Sequence, residues 1–135
     1  MTELERLSTS SYVLVTTFRR DGTPVPTPVW VGRDGENVLV WTSADAGKVK
    51  RIRNNPSVEL APCDARGRSR GPSVTGTARI LDATDSANGR KLLKRKYGIT
   101  GKLVIGASER FRGRTASLCV AISLDGWRDT PREQP

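Results

Sequence analysis

Proline stands at every other position in "PVPTPVW", as Pro24, Pro26 and Pro28, and this alternation restricts the chain more than any other feature. Proline lacks an N–H, and the backbone groups of a strand point to alternate sides. Prolines spaced by two therefore strip one whole side of ladder donors. Such a strand belongs at a sheet edge, at a bulge, or at a rim where something else approaches. Edge prolines also block edge-to-edge aggregation. The same arrangement leaves free backbone groups beside Trp30, where a flat heterocycle can lie. Both readings suit the residues.

The segments around it read as a mainly β chain. Thr2 and Glu5 have capping-box spacing, which predicts a short opening helix resting on Leu4 and Leu7. Residues 12–18, "YVLVTTF", are β-branched and aromatic and predict a strand. Asp21-Gly22 and Asp34-Gly35 are hairpin turns that flank the proline strand, read as residues 25–32. "NVLVWTS" follows, then a helix from Asp45 to Asn54 closed by Asn55-Pro56. Residues 57–64 and 73–81 are strands, the latter with a break at Gly76, and a basic loop, "ARGRSRGP", joins them. Residues 84–97 are helical, with Gly98 as C-cap. Residues 101–114 are ambiguous, and 115–123 form the last strand, which "DGWRD" extends through a turn. The expected fold is a six-stranded antiparallel β-barrel with short helices at its ends.

At 135 residues the chain is long enough for a single domain spanning 1–135 and short for two. No apolar run reaches the ~20 residues of a membrane span, and "MTELERLSTSS" lacks a signal peptide's basic start. A cytoplasmic protein is expected. Cys63 and Cys119 form no CxxC pair and read as two buried thiols. There is no histidine, so no Ser-His-Asp triad, no Cys-His pair and no good zinc site. Cys63 without a histidine partner reads as structural rather than nucleophilic. Asp82 and Asp85 read as the N-terminal charge of the second long helix. An enzyme of this composition borrows its chemistry from a cofactor.

Lys and Arg (23) exceed Asp and Glu (14) by 9, so the partner should be an anion. The densest cations lie in "TSADAGKVKRIRNNP", where Lys48, Lys50, Arg51 and Arg53 follow a strand. Val49 and Ile52 give that helix a core face, while Lys48 and Arg51 share another. Lys48 falls in the first turn, where a cation opposes the helix dipole unless an anion sits there, with Asp45 as an offsetting N-cap. A solvated charged face and a phosphate site both account for the pattern. A nucleic-acid-binding barrel is the rival from another class. It would display aromatics for stacking, but only 5% of this chain is aromatic, and its tryptophans, in strands or near the C-terminus, are not expected to cluster on one face.

The ordered combination of DG turn, "TPVW" strand, "WTS…GKVKR" segment and "LAPCD" strand resembles the flavin/deazaflavin split β-barrel superfamily, that of pyridoxamine 5'-phosphate oxidase. It is most similar to the actinobacterial branch of coenzyme F420-dependent reductases. The resemblance implies a six-stranded split barrel and a homodimer with cofactor sites at the subunit interface. It places Pro28, Val29 and Trp30 along the ring system, with Thr27 at its polar edge. Trp41, Thr42 and Ser43 would follow the ribityl chain, and Lys48 with Lys50 or Arg51 would hold the phosphate. Pro62, Cys63 and Asp64 would lie near the other subunit's site. Members bind FMN, F420 or haem, and the acidic oligoglutamate tail of F420 suits Arg66 and Arg68, with Arg70, Arg112 and Arg114 around them.

The resemblance implies hydride transfer between reduced F420 and a small organic substrate. FMN is the alternative cofactor, and a non-catalytic carrier or sensor the alternative role. Neither a nucleic acid nor a membrane is expected as partner. The chain departs from true pyridoxamine-phosphate oxidases: it has no histidine to match their substrate contacts and ends soon after Trp127. Pyridoxal-phosphate synthesis is therefore not expected.

Overall fold

The computed structural model describes residues 2–112 and 117–125. Thr2 caps helix α1 (Glu3–Ser8), and the reciprocal capping box with Glu5 is present. Leu4 and Leu7 turn inward from it. Seven strands follow: β1 (Tyr12–Phe18), β2 (Pro24–Val29), β3 (Val31–Asp34), β4 (Asn37–Ser43), β5 (Ser57–Cys63), β6 (Val74–Ile80) and β7 (Ser117–Ser123). Helix α2 (Gly47–Asn54) joins β4 to β5, and helix α3 (Ala83–Arg112) joins β6 to β7. Gly22 and Gly35 occupy positive φ in the two DG turns, as those turns require.

All pairings are antiparallel, and the sheet order is β2-β1-β5-β6-β7-β4-β3. The proline strand lies at an edge. Pro24, Pro26 and Pro28 stand opposite Phe18, Thr16 and Leu14. The ladder to β1 is thus left to Val25, Thr27 and Val29.

The sheet has seven strands rather than the expected six because the second segment divides at Trp30. β2 ends at one edge of the sheet and β3 begins at the other. Laid flat, seven strands at ~4.8 Å spacing would part those edges by roughly 29 Å. One intervening residue spans only about 7 Å. The sheet must therefore roll until its edges nearly meet. β2 and β3 do not pair with each other, so the roll stays open along that seam.

The roll encloses the main core, in which Leu7, Val13, Val15, Val31, Val40, Leu60 and Ile122 are buried. Each such side chain contributes about 1.5–3 kcal/mol. A second core, of Leu39, Leu93, Ile105 and Cys119, lies between the outer face of the sheet and α3. Both cysteines are free and buried, as expected.

Three local expectations are corrected. Helix α2 starts at Gly47 with Ala46 as N-cap and no side-chain cap, so Asp45 does not fill that role. Gly76 does not break β6: it pairs with Val58 in an uninterrupted register. It is small because a Cβ there would stand 2.6 Å from Ile122 Cγ2. The ambiguous stretch after residue 100 is helical to Arg112. Gly98, at φ 60, ends the first half of α3 as a C-cap would, and the chain then resumes as helix. The 115–116 start of the last strand, and "DGWRD" beyond Asp125, lie outside the described residues.

Helix α3 is tied down by its basic side chains. Buried Arg90 donates to Glu109 and to the Ser117 carbonyl, and Lys94 pairs with the same Glu109. Asp82 caps the start, accepting from the Asp85 N–H at 2.8 Å. Lys96 donates to the carbonyls of Ser8, Ser10 and Val31 at 2.6–2.8 Å. The next residue, Tyr97, accepts from the Val31 N–H at 3.0 Å and donates to the Ser11 carbonyl at 2.7 Å. Together they bind the crossing at Trp30 to the start of β1. Tyr97→Phe leaves the Val31 N–H without that acceptor and is expected to cost about 1–3 kcal/mol. Tyr12→Phe should stay within about 0.5 kcal/mol, since that hydroxyl has no hydrogen-bond partner among the described residues. Urea unfolding of both variants checks this.

Candidate functional site

The crossing residue places one aromatic between two elements. Trp30 stacks on Tyr97 with ring centroids 4.4 Å apart and an interplanar angle of 12°. On its other side Trp41 of β4 approaches at 6.2 Å. The rolled sheet thus gathers tryptophans that lie apart in sequence, correcting the expectation that they do not cluster. Trp41 Nε1 is buried with no acceptor among the described residues.

Below these rings lies a cavity of about 260 Å³ lined by Tyr12, Pro28, Val29, Trp30, Trp41, Thr42, Ser43, Ala46 and Lys48. Seven of the residues singled out from sequence meet here: Pro28, Val29, Trp30, Trp41, Thr42, Ser43 and Lys48. One end is aromatic and the other is the start of α2. That start carries no side-chain cap and no acidic residue in its first turn. Its free N–H groups and partial positive charge therefore remain available to an anion.

Lys48 stands at that end. It is half-buried, and its Nζ donates to the Thr42 hydroxyl at 3.1 Å. No carboxylate among the described residues pairs with it. Burial first, and then the neighbouring Arg51 charge, hold its pKa below the ordinary lysine value. A desolvated ammonium, a like charge and an uncapped helix all call for a bound anion.

The remaining sequence candidates fall elsewhere. Thr27 is half-buried on β2 and donates to the Val15 carbonyl at 3.4 Å. Lys50 is exposed and does not line the cavity. Arg51 turns towards β1, where Nε donates to the buried Thr17 hydroxyl at 2.6 Å. Pro62, Cys63 and Asp64 line a separate groove, whose shared wall with the first cavity is Tyr12. Burial and the adjacent Asp64 push the Cys63 thiol up, away from nucleophilic use. Burial pushes Cys119 up to about 12.

Asp64 organises the basic loop. Its carboxylate accepts from the Arg66 and Arg68 N–H groups at 2.9 Å and from Arg68 Nε at 2.8 Å. These bonds, led by the Arg68 N–H, keep its pKa low. Arg66 and Arg68 are exposed, and a Cβ on Gly67 between them would stand 3.6 Å from Pro28. The loop thus borders the cavity at its proline wall. The Arg112 side chain, Arg114 and Trp127 lie outside the described residues. Tyr12, Ala46 and Tyr97 are the site residues that sequence reasoning missed. Among the described residues no group of three His, Cys, Asp or Glu side chains could hold a metal, and no helix is long and apolar enough to cross a membrane.

Residues 3–123 match the family described as pyridoxamine 5'-phosphate oxidase. The chain belongs to that family. Comparison with curated proteins finds no match. Among solved structures, one named an F420 reductase is similar at 23% identity and TM-score 0.65, over 91% of this chain and 94% of that one. A conserved hypothetical protein of Mycobacterium tuberculosis is similar at 19% identity and TM-score 0.68, over 93% of this chain and 82% of the other. An FAD and haem binding protein of Mycobacterium smegmatis is similar at 18% identity and TM-score 0.64, over 87% and 62% respectively. These likenesses establish the fold, one shared with flavin-type oxidoreductases.

Lys48 holds its proton less readily folded than unfolded. Between its lowered pKa and the ordinary 10.5 the unfolded chain binds more protons, so its contribution makes stability rise with pH. Lys48→Met should remove that part of the slope, read between neutral pH and a pH close to 10.5. At neutral pH it should leave the ligand-free protein at least as stable as before. Urea unfolding at both pH values checks this, and a loss at neutral pH would make Lys48 a structural residue.

Proposed function

We propose that the chain is an oxidoreductase that binds the deazaflavin coenzyme F420 in the tryptophan-lined cavity and acts on a small organic substrate. The observation that carries this reading is Lys48, a half-buried cation without a carboxylate at the uncapped start of α2. The residues fit such a cofactor. Lys48 and the first N–H groups of α2 bind its phosphate, while Thr42 and Ser43 face the chain that leads to the ring. Pro28, Val29 and Trp30 form the ring wall, and the unpaired Trp41 Nε1 is a donor for that end. Bound F420 supplies hydride chemistry, and the protein supplies binding, orientation and exclusion of water.

Two features favour F420 over FMN, whose phosphate would suit Lys48 equally. Arg66 and Arg68 are exposed on a loop beside Pro28, where an acidic tail leaving the cavity would meet them. The F420 reductase neighbour also spans almost the whole of both chains. The cavity volume, about 260 Å³, falls below the usual ~300–1,000 Å³ of a complete small-molecule site. A homodimer whose second subunit supplies the opposite wall accounts for the shortfall. Two buried free thiols support a reducing, cytoplasmic setting.

Fluorescence titration with F420 and with FMN tests the assignment: F420 should bind at least about tenfold more tightly. Equal or stronger FMN binding would transfer the site to a flavin. Lys48→Ala should weaken F420 by about tenfold or more, and the loss should vanish at alkaline pH as the wild-type ammonium is deprotonated.

A further inference from the structure

The larger groove on the other side of Tyr12 shares only that residue with the tryptophan-lined cavity, although the resemblance would set its Pro62, Cys63 and Asp64 near the other subunit's site. Its volume is about 670 Å³, well within the range of a small-molecule site. Tyr12, Pro62 and Pro72 give it apolar walls, and Ser10 and Ser11 place hydroxyl-bearing residues along it. Two arginines reach it, Arg6 and Arg70.

The charges there are unevenly satisfied. Asp64, the groove's own carboxylate, is turned into its loop by the Arg66 and Arg68 N–H groups and by Arg68 Nε. Arg70 is left at 3.8 Å from that carboxylate, with its side chain 68% exposed. Arg6 donates from Nε and Nη2 to Glu3 and from Nη2 to the Pro72 carbonyl at 3.1 Å, while Nη1 is buried near Gly71 with no acceptor among the described residues. Among the described residues the Tyr12 hydroxyl has no hydrogen-bond partner.

We propose that this groove binds a small organic acid, with the Arg70 guanidinium gripping its carboxylate and the Tyr12 ring and prolines covering its apolar body. A guanidinium fork matches a planar carboxylate in a bidentate way that a lone ammonium does not. Inorganic phosphate is a poorer fit, because it offers nothing to the apolar walls. The Tyr12 wall common to both cavities sets such an acid beside the tryptophan-lined cavity. The inference rests on the groove itself and not on which cofactor, if any, fills the other cavity.

Benzoate, with benzamide as its neutral isostere, is the probe, read by backbone amide NMR of the full chain. Benzoate should shift the amides of Ser10, Ser11, Cys63 and Gly71, and benzamide should bind at least about tenfold more weakly. Arg70→Gln should remove that preference, and Arg70→Lys should restore part of it. Arg70 lies on an exposed loop, so both variants should fold, and their amide spectra confirm it. Equal binding of the two probes would overturn the proposal. So would shifts centred on Trp41 and Lys48, or no shift at about 50 mM benzoate. Tri-γ-glutamate binding the same amides more tightly than benzoate would assign the groove to an acidic tail and overturn it too. Loss of F420 binding in Lys48→Ala leaves these results unchanged, so the two readings fail separately.

Discussion

One residue carries the chain from one edge of the sheet to the other, and most of the structure follows from that crossing. Trp30 separates two strands that sit at opposite ends of the strand order. The sheet must roll to permit it, and the roll encloses the larger core. It also brings Trp41 up to Trp30 and the start of α2 up to both. The proline strand is what allows the crossing: with no donors on its outer side, β2 invites no eighth strand and leaves its edge open. Lys96 and Tyr97 then fix the crossing from outside, engaging both backbone groups of Val31. Burial pushes Lys96 down to about 8, although three carbonyls accept from its ammonium and much of the residue remains exposed.

The surplus of positive charge is not spread evenly. Glu109 absorbs Arg90 and Lys94, Asp64 absorbs Arg68, and Glu3 absorbs Arg6. Backbone carbonyls absorb Lys96. What the fold leaves over is more telling than the total. Lys48 is half-buried beside a like charge with a hydroxyl as its partner, and Arg66 and Arg70 are exposed on a loop that Asp64 holds in shape, Arg70 at 3.8 Å from that carboxylate. Net charge alone pointed to an anion without a position. Burial and the cavity supply the position, because Lys48 is the cation that lines the tryptophan cavity and no carboxylate among the described residues pairs with it.

Much of this was legible in the sequence, and the failures have a common physical cause. The capping box, the DG turns, the edge prolines and the stop at Gly98 are local rules, and each acts where it is written. The two corrected glycine and capping expectations concern packing at a distance: Gly76 is small because of Ile122, and Asp45 lies one residue too early to cap α2. The extra strand was hidden because both sides of Trp30 read as extended, and only the partner strands reveal a change of edge. Lys96 and Tyr97 were read as part of a basic helix face. Their acceptors are main-chain carbonyls, which leave no trace in residue identity. The cavity residues came as a set from the family resemblance, whose motifs lie on consecutive strands and the helix after them. Tyr12 was missed because its role comes from standing between two cavities that no linear pattern joins.

The strongest physical case for a ligand is the ligand-free state of Lys48 itself. Burial lowers its pKa, which means the folded protein bears a penalty whenever this side chain is charged. An anion at the same place reverses both terms: it attracts the ammonium and raises its pKa, so binding and protonation assist one another. A lysine meant only to solubilise a helix face would project like Lys50 and bear no such penalty. A lysine meant only for structure would be well supplied with acceptors, as Lys94 is by Glu109 and Lys96 by three carbonyls. Lys48 is half-buried with no counter-charge among the described residues, and its hydrogen-bond partner, the Thr42 hydroxyl, also lines the cavity. The fold therefore holds a charge ready where the uncapped helix adds its own partial charge, and both are satisfied by a single anionic group.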